Sequence, residues 1–588
     1  MNRLVRVSIL IGLIVAGRVL AQQPAKSGSD GSRAITGRVF DHNGQLLAGG
    51  KVFLGKVGGG QRDFRETLIN DIGEFRFENL SHGVYTVLAM GSMDGDEQQK
   101  YYRPGDFVTL RLKKGGVITG TVTDSTGEPV IATRVHAIRL RDEHGLRTSQ
   151  AGRFSYWQRE RSTDDRGIYR FWGLPSGSYL VKVGGRDTRN RNRVPDAIEE
   201  DAMTYHPSAA TPESATEVIV NDGQETVGID IRHRGESGHA ISGRISGYVA
   251  NGSQEEGVIV TLTQTATGAP VSEIAIRGSE GPGSFLFEGV ADGEYDLTAH
   301  HIVVPNKDAA SVDINAASPP LRVIVKSNDV SGVVIKLAPL GSIEGRVVPD
   351  TERKPRCQND RTLRLDETLI IVAREGAGAP APIFTGFAYH PGGVIVVPDQ
   401  SGDFAIRSLQ ASHYRVETRL PSEDWYIRSI DLSAPAKAGL IDAGRDGIAV
   451  KSGERVRGLT IRIQEGAATV RGRIVVAQAK TALPSRLRVH LVPAEPQQRE
   501  NVLRFAEAQV ESDGLFVLTH IAPGRYWLLP RTADALRDDR PLSWNGEARA
   551  KLAREAIAAN NSIELQPCQR ITGHILRYNL PATTDLKK

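Results

Sequence analysis

The sequence predicts an all-β chain: about five antiparallel β-sandwich modules in series, with one short helix near residues 547–559. Three observations predict it. A five-residue phrase with a central glycine recurs along the chain. A second block, with an aromatic residue followed at i+2 by a second ring or an aliphatic residue, follows each of its first five occurrences. Glycine is abundant, 62 in 588 residues, and falls at the turns that many short strands need.

At this length and 39% hydrophobic content the chain is too long for one core, and ordinary domain sizes suggest roughly four to six units. Residues 1–21 read as a signal peptide: Arg3 and Arg6 precede an apolar run from Val7 to Ala16, and Val19-Leu20-Ala21 suits cleavage after Ala21. The alternative, an uncleaved membrane anchor, meets an apolar run shorter than the ~20 residues that span a bilayer. Export therefore places the mature protein in the periplasm, on the outer cell surface or in the medium. Without the leader's three arginines, 70 Lys and Arg face 69 Asp and Glu, so no strong field draws the chain to nucleic acid. No later stretch is long enough to form a transmembrane segment in the mature chain.

The recurring phrase reads Ile35-Thr-Gly37-Arg-Val39, Ile118-Thr-Gly120-Thr-Val122, Ile241-Ser-Gly243-Arg-Ile245, Ile343-Glu-Gly345-Arg-Val347 and Val470-Arg-Gly472-Arg-Ile474, with a last occurrence at Ile571-Thr-Gly573-His-Ile575. β-Branched residues around a glycine at alternating positions describe a strand with one inward row and one point where backbone or a large side chain comes close. The phrases divide the chain into a linker at 22–33, modules at 34–113, 114–234, 235–338, 339–465 and 466–570, and a tail at 571–588. That tail either supplies a last strand to the fifth module or begins an incomplete copy.

The second block is longer. In module 1 it runs Asp71-Ile-Gly73-Glu-Phe75-Arg-Phe77, then Leu80, Gly83 and Tyr85, and its counterparts end at Tyr179, Tyr295, Tyr414 and Tyr526. It reads as a hairpin: Asp-Gly turn chemistry, a strand with rings at i and i+2, a second turn that needs glycine, and a strand returning through tyrosine. A tyrosine at such a corner can bury its ring and bond its hydroxyl to nearby backbone. The aspartates are read as turn formers. In module 4, Ser412 replaces the turn glycine, which predicts a different turn. Further strands close each module, such as Phe107–Leu112, Val227–Ile231, Val333–Leu337 and Leu459–Ile463. Short connections between a closing strand and the next phrase, as at Lys113 to Val117, predict a semi-rigid rod.

The two blocks together resemble the carboxypeptidase regulatory-like domain, a prealbumin-like sandwich grouped with starch-binding-like and carbohydrate-binding-like folds. The resemblance covers most of the mature chain as tandem copies and is clearest in modules one, two and five. It implies an Ig-like or prealbumin-like seven-stranded sandwich per copy, with roles in scaffolding, adhesion or polysaccharide contact. It does not imply peptidase activity, because in that family the regulatory domain lies beside the catalytic one.

Motifs for chemistry are sparse. The sequence has no H-E-x-x-H, no G-x-S-x-G and no phosphate-cradling glycine loop, so no catalytic residue and no cofactor is expected. His233-Arg-Gly-Glu236 has a suggestive spacing but no third ligand, and Asp94-Gly-Asp96-Glu97 lacks the rest of a calcium loop, so no metal is expected. The basic run Arg186 to Arg193 meets the acids Asp196, Glu199, Glu200 and Asp201 and is expected to neutralise itself in a loop. A single bridge between Cys357 and Cys568 is left open: they belong to different modules, and nothing in their spacing brings them together.

Two tryptophans stand out. Alternation from Phe171 points Trp172 away from the core, and Trp527 occupies an outward column of the returning strand. Exposed indole rings stack on sugar faces, which makes both candidate carbohydrate-binding residues; the other reading is that they fill contacts between modules or under loops. Tyr101, Tyr102, Trp157 and Trp425 lie in connecting segments. The expectation is a non-enzymatic exported binding or scaffold protein whose partner is a polysaccharide or another envelope protein. The alternatives are a dedicated polysaccharide binder and an accessory to a separate peptidase or transporter.

Overall fold

The computed structural model describes residues 33–59, 63–90, 94–95, 100–143, 145, 160–185, 196–247, 256–266, 268, 270–277, 283–303, 313–350, 357, 363–375, 393–433, 439–476, 483–484, 486–511, 513–532 and 542–578. The leader, the linker before Arg33, Trp157, the basic run at 186–193, Asp96, Glu97 and the tail beyond Tyr578 lie outside them.

All five sandwiches share one wiring. The glycine phrase forms an opening strand: Ile35–Phe40, Gly116–Thr123, His239–Ser246, Gly341–Asp350 and Ala468–Val476. Each opening strand lies mid-sheet and pairs antiparallel with its module's aromatic strand, Glu74–Phe77, Ile168–Leu174, Ser284–Val290, Asp403–Leu409 or Leu515–Ile521. On its other edge it pairs parallel with the module's closing strand. These are Phe107–Arg111, the pair Glu225–Thr226 and Ile231–Arg232, Val330–Lys336, Arg455–Glu465, and Arg570–Tyr578. The facing sheet is built in module 1 from Lys51–Lys56, flanked by Arg65–Leu68 and Tyr85–Met90, with Tyr101–Tyr102 on the far edge. The same order recurs in modules 2 to 5.

Inward rows from both sheets meet in one core per module. In module 3, Ile241, Ile245, Val260, Leu262, Phe285, Phe287, Tyr295, Leu297 and Ile335 are all buried together. Fully burying each such side chain stabilises by roughly 1.5–3 kcal/mol, which is how a chain with one disulfide can hold five sandwiches.

The opening glycine is where that core is tightest. A Cβ on Gly243 would lie 2.1 Å from the carbonyl oxygen of Val333 on the closing strand and 2.7 Å from the Phe285 ring. Gly37, Gly120, Gly345 and Gly472 meet the equivalent carbonyl at 2.2, 2.1, 2.5 and 2.5 Å. The aromatic ring of the neighbouring strand crosses over the glycine, and no side chain fits between ring and carbonyl.

The turn chemistry is displaced by one residue from the sequence reading. In module 1, Asn70, not Asp71, accepts from the amides of Ile72 and Glu74 at 3.1 and 2.7 Å, while Asp71 points to solvent. Asp164 and Asp399 do the same in modules 2 and 4, each bonding the amides two and four residues on. Hydrogen bonds of this kind hold both carboxyls below the usual carboxylate range, led by the backbone of Ile168 for Asp164 and the Ser401 hydroxyl for Asp399. Gly73, Gly167, Gly402 and Gly514 then take left-handed φ of 72°, 74°, 89° and 86°.

A second left-handed column was not visible in the sequence. Asn79, Gly173, Gly289, Ser408 and His520, each one residue before a buried aliphatic side chain, have φ of 56°, 69°, 69°, 60° and 58°. In modules 2 to 5 the pairing with the opening strand slips at this level. The bulge turns the strand into its corner and re-aims the following side chain inward. The chain then returns through tyrosine. The hydroxyls of Tyr85, Tyr179, Tyr295, Tyr414 and Tyr526 each donate to the carbonyl four residues back, at 2.8, 2.7, 2.8, 2.8 and 2.7 Å. Ser412 follows no separate path: Tyr414 makes the same bond to Gln410, and the returning strand starts at Ser412 itself.

The last glycine phrase is a closing strand of module 5. Arg570–Tyr578 runs parallel to Ala468–Val476, and Gly573 has φ 73° with nothing within 4 Å of where a Cβ would stand. In φ it matches Gly228, Gly332 and Gly458 of the other closing segments, at 73°, 73° and 85°; Gly228 and Gly332 are as open, and Gly458 meets only Ser433, at 3.2 Å or more, so none is crowded as the opening glycines are.

The predicted helix spans Gly546–Ala559. Asn545 caps it by accepting from the Ala548 amide at 2.9 Å, and Asn560 ends it in the left-handed conformation. Leu552 and Ala556 pack on Val492 and Leu529 of module 5.

The modules do not form the expected rod. Val57, Val84 and Tyr101 of module 1 pack with Leu369, Ile395 and Val397 of module 4. Arg103 donates to the carbonyls of Glu367 at 2.9 Å and Leu420 at 3.2 Å. Short connections limit how far neighbours can stray but not whether the chain folds back, and here buried apolar surface between modules one and four decides the matter.

Candidate functional site

Trp172 sits on the aromatic strand of module 2 and is 41% exposed, as alternation from the buried Phe171 requires. The guanidinium of Arg161, on the neighbouring sheet's edge strand Glu160–Ser162, lies 5.2 Å from its ring centroid. Partial burial lowers the Arg161 pKa from its ordinary value, so the cation is partly withdrawn from water where it meets the ring. Arg170, two residues before Trp172 on the same outward row, is paired with Glu225 at 3.0 Å. The face is an indole with a cation over it, beside an ion pair: a surface that can stack and hydrogen-bond.

Trp527 is different. It lies under the helix Gly546–Ala559, packed with Phe505, Leu542 and Ala553 against the buried Val492, Leu529, Leu552 and Ala556. Among the described residues only module 5 carries such a helix, and it covers the outward column of the returning strand, so Trp527 fills a contact and its ring is not presented. Trp425 is likewise half-buried against the module 4 core, and its carbonyl accepts from His520 of module 5 at 2.9 Å. Tyr101 and Tyr102 form the edge strand of module 1; Tyr101 is held between modules, with Arg419 5.6 Å from its centroid and its pKa pushed up to about 12 by burial.

His233 and Glu236 are not brought together on a ligand. His233 is 2% exposed, its Nε2 2.8 Å from Asp201 Oδ2 and its Nδ1 3.2 Å from Thr204 Oγ1. Glu236 pairs instead with Arg234. Thr204 is fully buried, so the Asp–His–Thr chain fastens the end of module 2 and offers no hydroxyl to a substrate. The basic run lies outside the described residues, and three of the four acids are seen on other partners. Asp196 and Glu199 hold Arg134 of module 2's own sheet, at 3.5 and 3.4 Å, and Asp201 holds His233. Among the described residues no group of three or more His, Cys, Asp or Glu is arranged to hold a metal ion.

A polar junction between modules 4 and 5 has no counterpart among the sequence motifs. Arg415 of module 4 is bound by Glu375 and by the carbonyls of Gly444 and Arg445, and reaches Trp544 of module 5. Asp424, 2% exposed, takes Arg570 at 3.1 Å, and Arg471 pairs with Glu423 at 2.9 Å. Cys357 and Cys568 are joined by a disulfide across the same boundary, with Cα atoms 5.3 Å apart.

No protein-family description matches the chain, and none of the curated proteins matches it in sequence. Solved structures do align. The Bacillus anthracis TIE protein is 12% identical over 72% of this chain and 70% of its own, with a TM-score of 0.13. GBS52, the minor pilin of Streptococcus agalactiae, is 13% identical over 34% of this chain and 96% of its own, at 0.20. BcpA, the major pilin subunit of Bacillus cereus, is 11% identical over 74% of this chain and all (100%) of its own, at 0.13. At such identities and scores these likenesses carry no argument about function, and the fold rests on the strand pairings themselves. Among the described residues no helix is long and apolar enough to cross a membrane.

Proposed function

We propose that this protein is a non-enzymatic scaffold of the cell exterior or periplasm, built from carboxypeptidase regulatory-like repeats, which holds its modules in fixed relation and presents their surfaces to an envelope partner. The observation that carries this reading is where the polar side chains go. His233, Asp201, Arg103, Arg415 and Asp424 are tied into contacts that fasten one segment or module to another. A disulfide across two modules supports export to an oxidising compartment.

Fractionation of the native cell, with N-terminal sequencing of the mature chain, tests the location: a start at Gln22 in an extracytoplasmic fraction is expected, and a full-length cytoplasmic protein would refute it. Cross-linking in the intact envelope tests the role and is expected to capture a reproducible macromolecular partner.

A second reading, polysaccharide contact, is favoured by one feature, the exposed Trp172 with Arg161 over it. Glycan-array binding that disappears in Trp172→Ala but survives Trp527→Phe would support it. Binding indifferent to Trp172 would end it.

A further inference from the structure

The Cys357–Cys568 bridge joins residues 211 apart in sequence, and both ends are anchored at the same hinge. Module 4 ends at Glu465 and module 5 begins at Ala468, so Gly466 and Ala467 are the connection. The Cys357 amide donates to the Glu465 carboxylate at 3.0 Å, and the Cys568 amide donates to the Gly466 carbonyl at 3.2 Å. The bond therefore straddles the hinge from both sides.

The placement of strands relative to the bridge matters more. Of module 4, only the opening strand Gly341–Asp350 precedes Cys357; of module 5, only the closing strand Arg570–Tyr578 follows Cys568. Every other described strand of the two sandwiches, and the helix Gly546–Ala559, lies inside the covalent loop. A pull on the two chain ends runs along the first strand of one sandwich, crosses the sulfurs, and leaves along the last strand of the other.

We infer that this disulfide is a mechanical clamp: it locks the hinge between modules 4 and 5 and removes nearly all of both sandwiches from the path of end-to-end tension. In the oxidised protein, tension can strip Arg570–Tyr578 from Ala468–Val476 and Gly341–Asp350 from its neighbours, but it cannot extend the chain between the cysteines. Reduction supplies two electrons and two protons, converts the bridge to two thiols and puts the whole interval under load.

Single-molecule stretching of the full-length chain, held by handles at both termini, tests this. The fully extended oxidised protein should be shorter than the reduced one by about 700 Å, the reach of some two hundred residues at ~3.5 Å each. Cys568→Ser should behave as the reduced form does without reductant. Because that variant can fail to fold, the same comparison is made on wild-type protein before and after reductant. A second readout uses protease cleavage within the interval: the pieces should stay joined until reductant is added. Equal extended lengths in the two redox states, or pieces that separate without reductant, would overturn the inference.

Discussion

The hydroxyl of Tyr526 donates to the carbonyl oxygen of Ala522, four residues back, at 2.7 Å, and Arg504 donates to the same hydroxyl at 3.3 Å. The ring is 1% exposed and Ala522 4%, so the Ala522 carbonyl cannot turn to water when the hydroxyl is removed, whereas the half-buried Arg504 keeps its bond to the Pro523 carbonyl. Tyr526→Phe is expected to lower the local opening free energy of the strand Gly524–Thr532 by about 1 kcal/mol, since it strands a buried carbonyl. Native-state hydrogen exchange across that strand measures it. Unchanged protection would mean that the corner contributes nothing beyond its ring.

The two kinds of glycine should respond differently to a methyl group. Gly243→Ala pushes Cβ against the Val333 carbonyl and the Phe285 ring, and should destabilise module 3 by about 3 kcal/mol through overpacking. Gly573→Ala meets no atom but must hold φ near 73°, and should destabilise module 5 by roughly 1–2 kcal/mol. Exchange or denaturant profiles of the full chain distinguish them; equal losses would refute the separation into crowded and bulged positions.

Acid stability should depend on His300. It is 8% exposed, its Nδ1 has no hydrogen-bond partner, and burial pulls its pKa down to about 4. The folded state thus favours the neutral ring. Its full stability is present above the unfolded pKa near 6.5 and is lost as pH falls toward 4, by on the order of 3 kcal/mol in all. His490, pulled down to about 3 mainly by burial, adds a loss of the same sign. His300→Gln should flatten the stability profile of module 3 between pH 6.5 and 4, as read by hydrogen exchange at several pH values. An unchanged slope would remove His300 as the cause.

Arg103 closes module 1 onto module 4. Its two bonds to backbone carbonyls are each worth about 1.5–3 kcal/mol as charge-assisted contacts. Arg103→Ala should raise the open population by about a hundred to ten thousand times, the ~3–6 kcal/mol of the two bonds at ~1.4 kcal/mol per tenfold, seen as a larger radius of gyration in solution scattering and faster cleavage near Tyr101. A scattering curve identical to the wild type would show that the apolar contact alone holds the two modules.

The sandwiches were legible because each depends on residues close in sequence and repeated five times. A glycine between β-branched neighbours, a ring on the paired strand, with a second at i+2 in modules 1 to 3, and a tyrosine after a turn announce themselves in every copy. The final phrase left two readings open for the same reason, since Ile571-Thr-Gly573-His-Ile575 has the spacing of an opening strand, and the pairing with Ala468–Val476 is that of the first, a last strand for module 5. The distinguishing sign lies further on. Opening glycines stand two residues before a buried aliphatic, as Gly243 before Ile245; bulged closing glycines stand three before, as Gly332 before Ile335 and Gly573 before Leu576. Asn79, Gly173, Gly289, Ser408 and His520 share a backbone conformation but no side-chain chemistry, so the column left no trace. Trp172 and Trp527 part company because they lie on opposite sheets: the outward row of the aromatic strand is open at Trp172, whereas the outward column of the returning strand is covered at Trp527 by a helix that, among the described residues, only module 5 carries. Arg103 with Glu367, and Cys357 with Cys568, are single long-range pairs, and nothing periodic marks them.

In every sandwich the opening strand waits for the closing one, which arrives some seventy to a hundred residues later. Until then a half-made copy shows a vacant parallel edge much like those of its four siblings. Five similar vacancies on one nascent chain invite the wrong partner, so the order in which copies emerge governs yield as much as the stability of the finished protein.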